Sequence, residues 1–191
     1  KHKPCNVYRQ IRLSLLESHE KRCRLRIFFC GSFVWHNRLL INFAGMKIRL
    51  TKEFCFEASH ALNNYDGLCR NIHGHSYKLF VTVLGEPNAD MDNPKFGMVM
   101  DFGDLKRIVQ RHIIDIYDHA LVLNKDNAFV AYAEKMDTKL VLTDYQPTCE
   151  NMLVDFAKII GAELPAGICL KRLRLHETAT SYAEWCAEDN V

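Results

Sequence analysis

The amino-acid sequence predicts an α+β domain in which one antiparallel sheet carries two helices on one face. Alternating apolar and polar residues indicate strands both shortly after residue 46 and near the carboxyl end. Between these regions, apolar residues at three-and-four spacing indicate two amphipathic helices. The predicted order is therefore two strands, two helices and two strands, which favours an antiparallel sheet over a doubly wound parallel one.

The first two strands are predicted over residues 47–60 and 73–85. One face of the first strand is an apolar row that ends in a histidine: Phe54, Phe56, Ala58 and His60. In the second strand, His73 and His75 begin a face that continues with apolar residues until Gly85, where turn-forming residues follow. The loop at 63–71, which is rich in turn formers, joins the two strands.

The remaining elements follow from helix start and stop signals. Asp101 is expected to cap a helix that ends before Tyr117. Residues 122–146 have a mixed pattern and are predicted to be mostly loop. A second helix is predicted to open at Pro147-Thr148 and to end at Gly161. Two last strands are predicted over 168–177 and 181–186.

Charge divides the chain of 191 residues into two unlike parts. Residues 1–45 hold nine Lys/Arg and two Glu, a net charge of +7, whereas residues 46–191 hold 16 Lys/Arg and 21 Asp/Glu, a net charge of −5. We interpret residues 1–45 as a non-domain N-terminal extension, with a targeting peptide as the alternative, and residues 46–191 as the catalytic domain. An acidic domain has no general affinity for nucleic acid, so that no nucleic-acid partner is expected.

Composition excludes several other classes of protein. Hydrophobic residues make up 48% and charged residues 25%, as in ordinary globular proteins, and no apolar run approaches the roughly 20 residues that a bilayer requires. We therefore expect no membrane association. The eight cysteines include no C-x-x-C pair, which favours reduced thiols and a cytoplasmic location over a disulfide scaffold.

Three histidines give the strongest chemical signal in the sequence. His73 and His75 share a strand face, and His60 ends the apolar row of the neighbouring strand, so the three side chains can meet. Three imidazole nitrogens with a fourth position open are typical of a catalytic Zn²⁺ site. The alternative is three unrelated histidines, two of them at the entrance of a strand.

Cys69 lies four residues before His73 and has two interpretations. Beside a dication, an exposed thiol would have a depressed pKa and could act as a base or nucleophile. As a fourth zinc ligand it would instead close the site and indicate a structural metal. The residues alone leave both roles open.

Two acidic positions are further candidates. Asp118 adjoins His119 after the first predicted helix. A carboxylate beside an imidazole can orient it for a proton relay. The alternative is that His119 lies at the helix end because the helix dipole favours it there.

Glu177 occupies a strand position where the alternating pattern predicts an apolar residue. A ligand with an N–H/NH₂ edge, such as a pterin or guanine, could satisfy this carboxylate, as could an arginine neighbour.

Taken together, these residues resemble the 6-pyruvoyl-tetrahydropterin synthase superfamily over about residues 46–186. The resemblance rests on an ordered set of motifs: His60, C-x₃-H-G-H at 69–75, Met100-Asp101-Phe102, Asp118-His119, Thr148-Cys149-Glu150-Asn151, and Glu177-Thr178 before Ser181-Tyr182-Ala183-Glu184-Trp185. Three residues separate the cysteine from H-G-H, where pyruvoyl enzymes usually have five. This spacing is similar to that of the bacterial 6-carboxy-5,6,7,8-tetrahydropterin synthases of the queuosine pathway.

The resemblance implies a T-fold, ββααββ, that assembles as a homo-oligomer, a trimer or a dimer of trimers, with active sites between subunits. It implies zinc on His60, His73 and His75, Cys69 as general base, and Asp118 with His119 as relay. The pterin would be held by Glu177 with help from Thr148 and Glu150.

The implied reaction converts 7,8-dihydroneopterin triphosphate to 6-carboxy-5,6,7,8-tetrahydropterin, with loss of acetaldehyde and triphosphate. Alternatives are a 6-pyruvoyl-tetrahydropterin synthase and a zinc-bearing pterin-binding module without turnover.

Overall fold

The computed structural model of the protein describes residues 45–190, and the interpretation of residues 1–44 lies outside this range. Within residues 45–190, six strands form one sheet in the order β4-β3-β1-β2-β5-β6. Their bounds are β1 Ile48–Ala61, β2 His73–Gly85, β3 Ala120–Asn124, β4 Leu140–Thr143, β5 Cys169–His176 and β6 Tyr182–Cys186. The helices are α1 Phe102–Val109, α2 Asp115–Tyr117, α3 Val130–Lys135 and α4 Cys149–Glu163, and a π-helical turn at Gln110–Ile114 joins α1 to α2.

Strands β1, β2, β5 and β6 are antiparallel neighbours, as the sequence predicts. The long β1–β2 pair runs from Ile48 opposite Gly85 to His60 opposite His73. Alternation along both strands puts most apolar side chains on the face that the helices cover and most charged ones on the other, although Lys52 lies on the covered side and Phe80 on the opposite side. The predicted α+β class is confirmed.

The prediction that residues 122–146 are mostly loop is wrong. This stretch contains α3, β4 and most of β3, and both strands pair in parallel, β3 with β1 and β4 with β3. The sheet is therefore mixed rather than wholly antiparallel. Neither strand exceeds five residues, and β3 lies between two others and is buried almost continuously, so it lacks the alternation that reveals a half-exposed strand.

Helix α4 begins where the sequence predicts and ends later. The Thr148 side chain accepts a hydrogen bond from the Asn151 amide at 3.3 Å, which makes Thr148 the N-cap. Gly161 does not end the helix, because it does not take the left-handed conformation of a helix-ending glycine. The helix continues to Glu163 and stops just before Pro165, since a proline disfavours helical geometry in the residue that precedes it.

The core lies between the covered face of the sheet and the helices. Phe56 of β1 stacks on Tyr77 of β2 with ring centroids 5.0 Å apart, and Phe156 of α4 packs edge-on against Phe56. All three rings are buried. No helix within residues 45–190 is long and apolar enough to cross a membrane.

Asp101 caps α1, since its carboxylate accepts a hydrogen bond from the Gly103 amide at 2.6 Å. Asp101→Ala should lower the free energy of unfolding by about 0.5–2 kcal/mol, because that amide loses its acceptor. Asp101→Asn keeps a capping oxygen and should lose much less. Urea titration compares the variants, and equal losses in both would contradict the capping role.

Candidate active site and metal centre

The three predicted histidines converge at the end of the β1–β2 pair. Their ligand atoms all lie within 4.8 Å of one another. His60 and His73 form a directly opposed cross-strand pair with ring centroids 4.5 Å apart, and the His75 ring lies about 5 Å from each of them. This convergence follows from strand parity, as expected from the sequence.

Two backbone carbonyls orient the first two imidazoles. His60 Nδ1 lies 2.7 Å from the Pro147 carbonyl oxygen, and His73 Nδ1 lies 2.8 Å from the Asn71 carbonyl oxygen. Because a carbonyl oxygen can only accept a hydrogen bond, each Nδ1 carries the proton and each Nε2 of a neutral ring carries a lone pair. The two Nε2 atoms face one another at 3.0 Å.

Opposed lone pairs at this distance repel unless a cation lies between them, so the arrangement suits a metal ion. Burial lowers the pKa of His60, and its neighbour His73 lowers it further, so the neutral, ligating form is favoured. Carbonyl acceptors on the outer ring nitrogens are the usual support for histidine ligands. The histidine group could therefore hold a metal.

Cys69 lies outside this group. It sits on a short 3₁₀ turn, Leu68–Arg70, and is half-buried, while its backbone carbonyl accepts a hydrogen bond from the Leu62 amide at 2.9 Å. Within residues 45–190, the cluster that could hold a metal comprises the three histidines without this thiol. The geometry thus does not place Cys69 among the candidate ligands.

Glu177 lies just beyond β5, on the same face as the histidines. The β2–β5 register continues to place it opposite Tyr77, whose hydroxyl donates to Glu177 Oε1 at 3.4 Å. Tyr77 is buried, and its ring packs edge-on against His75. Tyr77 therefore contacts both the histidine group and the Glu177 carboxylate. Burial, together with the nearby Glu177 charge, raises the pKa of Tyr77, so that its hydroxyl stays protonated.

The start of α4 adjoins the same end of the sheet, because Pro147 supports His60 directly. The Thr148 oxygen serves as the helix cap, and Glu150 is exposed in the first turn. Between them, Cys149 is buried and donates to the Leu175 carbonyl at 3.2 Å, and burial raises the pKa of this thiol to about 12. Cys149 is thus a structural thiol that joins α4 to β5.

Within residues 45–190, Asp118 and His119 do not belong to the group of three histidines that could hold a metal. They precede β3, where Asp118 Oδ1 accepts from the Glu57 amide at 2.9 Å and Asp118 Oδ2 lies 3.0 Å from His119 Nδ1. The Glu57 amide and the adjacent His119 hold the pKa of Asp118 below its usual range. The His119 side chain is 77% exposed and lines a cavity with Ser59 and Ser76, which alternate away from the core face, and with His75.

Sequence reasoning missed three supporting groups: the Tyr77 hydroxyl and the carbonyls of Pro147 and Asn71. Tyr77 could have been found, since it lies two residues after His75 on the same strand face. The carbonyls carry no signal in the sequence, because every residue has one and only the fold decides which imidazole it meets.

Comparison with known proteins agrees with this fold. A solved structure of an uncharacterised protein from Wolinella succinogenes superposes with a TM-score of 0.61 at 17% identity, covering 74% of this chain and 99% of that one. The 6-pyruvoyl tetrahydropterin synthase of Caenorhabditis elegans superposes with a TM-score of 0.53 at 22% identity, covering 74% and 96%. These likenesses confirm the predicted T-fold.

The chain belongs to the 6-pyruvoyl tetrahydropterin synthase family, whose sequence model matches residues 49–188. It is 34% identical to the 6-carboxy-5,6,7,8-tetrahydropterin synthase of Haemophilus influenzae over 143 residues, which cover 72% of this chain and 97% of that protein. A protein of the same name from Aquifex aeolicus is 29% identical, with 75% of this chain and all of that one covered. The predicted resemblance is confirmed.

His73→Ala should abolish binding of a divalent metal, because two remaining imidazoles compete poorly with water for the ion. His176→Ala is the matched control, since His176 lies on the other face of the sheet between Phe80 and Tyr182. Metal analysis of both purified variants after loading gives the readout. Full metal content in His73→Ala would remove His73 from the ligand set.

Proposed function

We propose that the chain is a zinc-dependent lyase that converts 7,8-dihydroneopterin triphosphate to 6-carboxy-5,6,7,8-tetrahydropterin, releasing acetaldehyde and triphosphate. The observation that carries the proposal is the convergence of His60, His73 and His75 beside Glu177 on one face of the sheet. The names of relatives that align over nearly their full length support this reaction within the family.

Zinc is the metal that suits the three imidazoles best, since a His₃ set with an open fourth position is a common catalytic zinc arrangement. When bound, the ion would supply Lewis acidity for oxygens of the substrate side chain. The chain itself fixes the ligands, because the Pro147 and Asn71 carbonyls hold two of the rings in one tautomer.

Glu177 is proposed to anchor the pterin. Its Oε1 atom already accepts from Tyr77, so the carboxylate is held in place while Oε2 can accept from an N–H/NH₂ edge of the ligand. Thr148 and Glu150, at the start of α4, are proposed to help Glu177 hold the pterin. Residues 46–191 would then form the catalytic domain.

Cys69 is proposed as the general base and the Asp118–His119 pair as the relay that returns a proton. In the pair, Asp118 fixes His119 with the proton on Nδ1, which leaves Nε2 free to exchange one with substrate. Because His119 lies on the exposed side of the sheet, we propose that it serves the site of a neighbouring copy. The working enzyme would then be a homo-oligomer, a trimer or a dimer of trimers, acting in the cytoplasm.

A second candidate is 6-pyruvoyl-tetrahydropterin synthesis, favoured by the description of the matching family and by the Caenorhabditis elegans structure. Both reactions start from the same substrate, and only the proposed one cleaves the carbon–carbon bond that releases acetaldehyde. Incubation of the zinc-loaded protein with dihydroneopterin triphosphate, followed by mass analysis, should yield 6-carboxytetrahydropterin and acetaldehyde. A pyruvoyl product would select the second candidate, and unchanged substrate would indicate a binding module.

Cys69→Ala should keep zinc and pterin binding while turnover falls by a factor on the order of 10² to 10⁴, the usual contribution of a positioned acid–base group. Cys55→Ala is the matched control, since Cys55 is an exposed thiol. Steady-state turnover and metal content are measured together. Loss of metal would identify Cys69 as a ligand, and wild-type turnover would exclude both roles.

Glu177→Gln should weaken pterin affinity roughly ten- to several-hundred-fold, because the amide can present a donor to donors of the ligand and each charge-assisted hydrogen bond contributes about 1.5–3 kcal/mol. Calorimetric titration with sepiapterin gives the affinity, and a thermal melt reports the fold. Glu184→Gln is the control, since Glu184 pairs with Arg174. Unchanged pterin affinity with a lowered melting temperature would make Glu177 a structural residue only.

A further inference from the structure

The segment 62–71, which carries Cys69, is fastened to the chain just before α4 by one side chain. The Gln146 amide oxygen accepts a hydrogen bond from the Asn63 backbone amide at 2.9 Å, and its nitrogen donates to the Asn63 carbonyl at 2.8 Å. The Gln146 side chain thus satisfies both the N–H and the C=O group of Asn63. We call this pair of bonds the Gln146 clamp.

The clamp joins two parts of the site that are far apart in sequence. Residue 147, which follows Gln146, supplies the carbonyl that orients His60. The Gln146 carbonyl accepts from the Asn151 side chain at 3.0 Å, which fixes the clamp to the first turn of α4. At the other end, the amide of Leu62, the residue before Asn63, donates to the Cys69 carbonyl at 2.9 Å, which connects the clamp to the cysteine-bearing turn.

The backbone beside the clamp takes an uncommon conformation. Asn64 has φ 55°, in the left-handed region that an asparagine tolerates better than most residues. A second, longer contact runs from the Asn63 side chain to the Asp126 carbonyl at 3.4 Å. Residues 64–66 are exposed, whereas Gln146 is half-buried. Its two hydrogen bonds to Asn63 are shorter than the contact of Asn63 with Asp126.

We propose that Gln146 is a positioning residue for catalysis: it holds the Cys69 segment at a fixed distance from the histidine group. The proposal rests on the proposed function, in which Cys69 is the base. The two bonds of the clamp require an acceptor and a donor on one planar group, which the Gln146 amide offers. Gln146 does not contact the histidines itself, so it acts through the geometry of the segment.

Gln146→Met keeps side-chain length and removes both bonds. Amide hydrogen exchange in the peptide spanning 62–71 should then be about tenfold faster, because two hydrogen bonds that oppose local opening are gone. We expect kcat to fall about tenfold as well, since a displaced base transfers its proton less efficiently. Zinc content and sepiapterin affinity should stay at wild-type values, because the histidines and Glu177 keep their supports.

Two further variants complete the experiment. Gln146→Glu keeps the acceptor for the Asn63 amide but sets an oxygen against the Asn63 carbonyl, so faster exchange and lower kcat are expected again. It also serves if Gln146→Met fails to fold. Gln110→Met is the control, since Gln110, the other glutamine of residues 45–190, bonds Asp115 away from the site. Its exchange over 62–71 and its kcat should match wild type.

Exchange over 62–71 at the wild-type rate would overturn the clamp, and faster exchange with unchanged kcat would overturn its role in catalysis. A fall in zinc content or sepiapterin affinity equal to the fall in kcat would also overturn it, since Gln146 would then support the whole site. If the wild-type protein forms no 6-carboxytetrahydropterin, the proposed function fails, while the exchange comparison still decides whether the clamp exists.

Discussion

The antiparallel pairing of β1 with β2 sets His60 directly opposite His73, and most of the candidate site depends on this register. Side chains alternate along a strand, so a slip of one residue would send one strand's histidines to the exposed face and its neighbouring polar residues into the core. The apolar rows that precede His60 and follow His75 oppose such a slip, because Phe56 must meet Tyr77 beneath the helices. Core packing and ligand geometry are therefore set by the same constraint.

The site lies where the sheet ends because polar side chains on the covered face need partners that the core lacks. The chain leaves the sheet just after His60 and re-enters it at His73. The carbonyls of Pro147 and Asn71, which lie outside the strands, accept hydrogen bonds from the His60 and His73 rings respectively. Glu177 follows the same principle at the end of β5, where it meets the Tyr77 hydroxyl. Imidazoles and carboxylate thus share one edge of the core.

Strand parity explains how much could be predicted from the sequence. Alternation of side chains predicts that the three histidines lie together and that Glu177 lies on the same face, because alternation holds within long antiparallel strands. It failed for β3 and β4, whose short parallel strands show no clear alternation. It also could not place Asp118 and His119, which lie in the turn before β3, where φ of His119 is 59° and alternation does not apply.

The turn before β3 fixes the position of the proposed relay pair, Asp118 and His119. Asp118 is tied to the Glu57 amide, and Lys139 donates to the Asp118 carbonyl at 2.7 Å, so the relay pair is anchored on the exposed side of β1. The His119 backbone amide donates to the Glu57 carbonyl at 2.6 Å, which adds a main-chain hydrogen bond to this anchor. In the proposed enzyme, this exposed and prearranged imidazole would meet a second copy of the chain. Under the proposed function, each chain therefore holds a metal and a pterin on one face of its sheet and offers a proton relay on the other.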